Sequence, residues 1–112
     1  MKYYHNLYLS EGFQEKKAEI LDKLERKETQ LNKYLVVLSK NSNNQLEIFD
    51  SILLIQKIYE MDNLFVVGIA DGYDGALEMI EKLTQEVYDI TRGTDIRNYF
   101  LEKQRQFEEG IV

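Results

Sequence analysis

Two short polar stretches carry the side-chain types that handle phosphate or a hard cation: Ser39-Lys40-Asn41 and Asp71-Gly72-Tyr73-Asp74. A lysine beside a strand end can hold a phosphoryl oxygen, and strand-terminal aspartates can offer oxygen ligands to Mg²⁺ or Ca²⁺. Gly68, Gly72 and Gly75 surround the expected start of a helix, where free N–H groups and the helix dipole favour an anion. Against this, the spacing is neither a dinucleotide fingerprint nor a P-loop, and no Lys-Ser/Thr pair follows. Asp71 and Asp74 also stand where an anion would arrive. Asp71, Asp74 and Glu78 could converge on a cation, but the spacing of a calcium loop is absent. The simplest reading makes Asp74 a helix N-cap and Asp71 an exposed turn acid, with Gly72 and Gly75 allowing positive φ or close approach. That reading is favoured.

No catalytic group stands out. His5 is the sole histidine, and none of Ser10, Ser39, Ser42 and Ser51 sits in a Gly-x-Ser-x-Gly elbow. The chain has no cysteine, which removes disulfides, thiolate metal sites and cysteine nucleophiles. No cofactor and no metal site are expected.

The elements that would carry these stretches are legible from apolar pattern. Leu64–Ile69 is an unbroken apolar run and reads as a buried strand, turning tightly into an amphipathic helix over 74–91. On that helix Ala76, Leu77, Met79, Ile80, Leu83, Thr84, Val87, Tyr88, Ile90 and Thr91 fill half of the wheel, a face suited to lying across a sheet. Gly93 is placed to end it, and Thr94-Asp95 to cap a last helix to about residue 108.

Tyr34–Leu38 is the second strand, closed by the turn cluster 39–44. Residues 45–60 read as a helix with Ile48, Phe49, Ile52, Ile55 and Tyr59 on one arc about 120° wide. Leu46, Leu53, Leu54 and Ile58 fall outside that arc and are the candidate subunit contact. A hairpin of Tyr34–Leu38 with Leu46–Phe49 is the competing reading. Ser10 is the expected N-cap of a helix to about Gln30, with Phe13, Ile20, Leu24 and Leu31 in a stripe about 40° wide, suited to packing on one other helix. Tyr3–Leu9 holds three tyrosines in seven residues and reads as a packed aromatic arm or an edge strand.

The sum is one α/β domain over residues 1–112, with a short parallel sheet of two to three strands from a βαβ unit and three to four helices. Parallel strands would bring Ser39–Asn41 and Asp71–Asp74 to a common rim at their carboxyl ends.

Net charge is −6. Residues 1–40 hold 8 Lys/Arg against 6 Asp/Glu, and residues 41–112 hold 6 against 14. So acidic a second half argues against nucleic acid. No run is long enough to span a membrane, and Met1–His5 shows no signal-peptide core, so a cytoplasmic location is expected. The expected function is a self-associating accessory or interaction protein without catalysis of its own, a homo-oligomer and first of all a dimer, open to a further protein partner. The alternative is binding of a small ligand, phosphate or divalent cation at the rim.

Overall fold

A computed structural model describes residues 1–39, 45–55 and 64–110, with side chains up to Leu53 in the middle segment. Four strands form one mixed sheet: β1 (Lys2–Leu9), β2 (Lys33–Leu38), β3 (Leu46–Asp50) and β4 (Phe65–Asp71), in the order β1-β4-β2-β3. Three helices pack on it, α1 (Lys17–Glu25), α3 (Gly72–Thr91) and α4 (Ile96–Glu108), and a single helical turn, α2 (Ile52–Ile55), follows β3.

The two central strands are apolar at consecutive positions because both faces of the sheet are covered. On one side Val36, Leu38, Val67 and Ala70 meet Ala76, Met79, Leu83 and Val87 of α3 and Ile96 and Phe100 of α4. On the other, Leu35, Val37, Val66 and Ile69 meet Phe13 and Ile20 and Leu24 of α1. The result is a three-layer α/β/α domain with helices on both faces.

Its strand directions differ from those expected. β1 and β4 are parallel neighbours, but β2 runs antiparallel to β4, with Lys33 opposite Asp71 and Val36 opposite Gly68. The sheet has four strands rather than two or three. The expected 45–60 helix is in its first part the strand β3, paired antiparallel with β2 from Leu38↔Leu46 to Tyr34↔Asp50. The hairpin alternative is the one adopted, because the edge of β2 left free by β4 finds a backbone partner only eight residues on, from Leu38 to Leu46. Residues 56–60 of that segment lie outside the described residues. Tyr3–Leu9 is the edge strand of the two readings offered for it.

Local endings follow from hydrogen bonding. Ser10 does not cap a helix: its N–H donates to Ile69 O at 3.2 Å and its Oγ accepts from Asp71 N–H at 2.8 Å, joining β1 to β4. A turn at Gly12 (φ 85°) and a 3₁₀ turn at Gln14–Lys16 precede α1. The stripe of Phe13, Ile20 and Leu24 is buried against the sheet rather than against a helix, and Leu31, beyond the end of α1, is exposed. α3 ends as the glycine at 93 implied but one residue sooner, with Arg92 in the left-handed conformation (φ 60°). Asp95 caps α4, its Oδ1 accepting from Asn98 N–H at 3.0 Å.

Candidate functional site

The antiparallel β2/β4 pairing separates the two polar stretches. Asp71 lies where β4 ends, across from Lys33, whereas Ser39 follows the far end of β2. Ser39 is fully buried, and its Oγ donates to Glu47 Oε1 at 2.7 Å. Lys40 and Asn41 lie outside the described residues. Ser39 and the 71–74 corner therefore share no rim, and the lysine in register with Asp71 is Lys33. Lys33 sits with its Nζ 4.8 Å from the Phe13 ring centroid. Its place just before an apolar strand would have signalled it, had the strand direction been known.

What remains of the rim is built by the parallel pair. Because β1 and β4 run the same way, their carboxyl ends bring Ser10 beside Asp71 at the start of α3. A cleft of about 240 Å³ opens there, lined among others by Tyr8, Ser10, Glu11, Glu78 and Lys82. Of these, only Glu78 was among the expected cation ligands, since the proximity of the others depends on β1 being a strand. Tyr73 points the other way, its ring 6.0 Å from that of Tyr34.

The corner itself is occupied by the chain's own bonds. Asp71 N–H goes to Ser10, and Gly72 N–H donates to Asn32 O at 2.8 Å. Two of the donors an anion would use are thus spent. Asp71 is the N-cap residue of α3 rather than Asp74, and makes no side-chain capping bond. Among the described residues no group of three His, Asp or Glu side chains is placed to share a metal ion, Asp71, Asp74 and Glu78 included.

The two corner glycines differ in kind. Gly72 has φ 77°, a conformation that L-residues adopt at a cost, while Gly75 has ordinary helical φ and a Cβ there would meet Ser10 Oγ at 3.6 Å, normal contact. Gly72→Ala should therefore lower stability by about 1–2 kcal/mol, whereas Gly75→Ala should raise it by about 0.4–1 kcal/mol through a less flexible unfolded chain. Urea denaturation of the two variants checks the opposite signs.

Tyrosines dominate the ionisable groups near β1. Burial, reinforced by a 2.7 Å hydrogen bond to Glu86, pushes the Tyr8 phenol well up. Burial acts likewise on Tyr3, which also donates to Glu25 at 2.7 Å. Tyr4 is pushed up to about 12, first by burial and then by Tyr99, and Tyr99 is itself raised. Groups with raised native pKa hold their protons longer than in the unfolded chain, so their stabilising effect is complete below about pH 10 and is lost as pH rises from there. Tyrosinate absorbance should show these four ionising late, together with unfolding. If all eight tyrosines titrated near pH 10 with the fold intact, the burial of β1 would be refuted.

The expected interface residues Leu46 and Leu53 are half-buried and pack against the two cores of their own chain. The side chain of Leu54, and Ile58 altogether, lie outside the described residues. A different apolar surface emerges instead. Of the ten-residue half-wheel on α3 only Ala76, Met79, Leu83 and Val87 are buried. Tyr73, Leu77 and Tyr88 keep 53%, 43% and 44% of their surface in solvent, and with half-buried Ile80 they form a second stripe beside the first. Along its later half lies a cleft of about 620 Å³, lined by Ile80, Glu81, Thr84, Gln85, Tyr88 and Thr94. An apolar sector wider than a sheet can cover was its signal in the sequence.

Among the described residues no helix is long and apolar enough to cross a membrane. The chain matches no protein-family model, no curated protein and no solved structure.

Proposed function

We propose that the protein is a self-associating accessory or interaction module of the cytoplasm, without catalytic activity of its own. The observation that carries this reading is the uncovered stripe Tyr73, Leu77, Ile80 and Tyr88 on α3. Contiguous exposed apolar surface of this kind marks interaction sites, and Tyr in particular serves interface cores, burying large area at low entropic cost. The stripe lies on the side of α3 next to Tyr34, in the half of the sheet that ends in edge strand β3. Light scattering on a size-exclusion column should give about twice 13.3 kDa at micromolar concentration, and Leu77→Glu should shift the protein to monomer while its circular dichroism is unchanged. A wild-type monomer at high micromolar concentration removes the proposal.

A second reading has its own support in the cleft at the carboxyl ends of β1 and β4, the place where parallel strands offer loop and helix groups to a ligand. Here a small polar ligand would meet Ser10, Glu78 and Lys82 beside the Asp71–Asp74 corner. A thermal-shift screen with nucleotides, phosphates and divalent ions tests it, since a ligand at 100 times its Kd adds about 2.7 kcal/mol. No shift with any of them, or a shift untouched by Asp71→Ala and Asp74→Ala, would leave the corner as a turn.

A further inference from the structure

Resting on the self-association just proposed, we infer that the occupant of the α3 stripe is α3 of a second copy, lying antiparallel across a two-fold axis near residue 83. At about 100° per residue, Tyr73, Leu77, Ile80, Thr84 and Tyr88 share an arc about 80° wide. One border of that arc is the face buried on the sheet. The other carries Asp74 at the first turn, Glu81 and Gln85 in the middle, and Arg92 just past the last turn. Arg92 lies over the stripe, its guanidinium carbon 5.8 Å from the Tyr88 ring centroid.

This border is complementary to itself. A two-fold axis that sets the helices antiparallel places the same border of each on the same side, with residues equidistant from the axis facing each other. Asp74 of one copy then meets Arg92 of the other, twice per dimer. Glu81 meets the neutral Gln85, and Leu77 packs against Tyr88. A parallel pair turns each charged border towards the other helix's sheet-facing side, where Asp74 and Arg92 find no partner. Each copy carries a net charge of −6, so association needs local pairing of this kind to offset the repulsion.

The absence of cysteine makes the geometry directly testable. Thr84→Cys puts a thiol next to the axis, so two copies should oxidise to a covalent dimer at low micromolar concentration. Tyr73→Cys puts its thiols at opposite ends of the helix pair, and should not. Asp74→Arg and Arg92→Asp should each raise the dimer dissociation constant about tenfold at low salt, as two exposed pairs are lost. The double variant should return it close to wild type, and high salt should erase the difference. A protein that is dimeric by light scattering, yet shows no Thr84→Cys cross-link and no effect of either reversal, overturns the α3 pairing while leaving self-association in place. A strictly monomeric wild type overturns both.

Discussion

Phe100→Ala should cost about 3–5 kcal/mol, the range for emptying a buried aromatic site. Phe100 is fully buried, the largest side chain to be so among the described residues, and it is the point where α4, β1 and α3 meet. Its ring stands edge-on to Tyr4 at 4.9 Å, Tyr99 at 5.3 Å and Tyr8 at 5.9 Å, arrangements that add to area burial. Removing it leaves a void walled by rings held elsewhere, Tyr8 by Glu86, so collapse is restricted. For a domain with total stability of about 5–15 kcal/mol, the variant should be largely unfolded in mild urea. A midpoint within measurement error of wild type would mean that α4 does not close the core.

The second large effect is expected at Gly68, and through its partner. A Cβ at position 68 would lie 2.4 Å from Met79 Sδ, 3.2 Å from Tyr8 Cβ and 3.3 Å from Tyr8 O. Methionine can swing its thioether aside, but the Tyr8 atoms belong to the neighbouring strand and cannot. Gly68→Ala should thus cost about 1–3 kcal/mol by overpacking. Met79→Ala, at a buried position, should cost about 2–5 kcal/mol by leaving a cavity. In the double variant the new methyl enters part of the vacated space, so the losses should fall short of their sum by about 0.5–3 kcal/mol. Strict additivity in denaturant midpoints would show that Gly68 and α3 are not in contact.

How much of this was readable from the chain depends on which physical signal each element leaves. The 74–91 helix and the Asp95-capped last helix were legible because amphipathic period and capping residues are local. The central strands were legible as buried because Leu35–Leu38 and Val66–Ile69 are apolar without a break. Direction was not, since a run buried on both faces looks the same whether its neighbour is parallel or antiparallel. Direction here is decided by the hairpin to β3, whose Ile48, Phe49, Ile52 and Ile55 mimic a helical period by joining a strand to a helical turn. With the direction misread, Ser39 and Asp71 looked adjacent although they are at opposite ends. The surviving corner, Asp71–Asp74, was found, but Ser10 and Lys82 beside it were not, because no local pattern tells that residue 10 reaches residue 71. The α3 stripe was present in the sequence as an apolar half-wheel. Only the geometry shows that the sheet covers less than half of it.

The placing of β4 between β1 and β2 also constrains how the chain is born. A nascent chain leaving the ribosome presents residues 2–9 and 33–50 long before residues 65–71, which must wedge between them. Until then the first strand has no edge to join, and the hairpin offers Leu35, Val36 and Val37 to water on both sides. Consolidation of the sheet must therefore wait for β4, and non-local pairing of this kind slows folding.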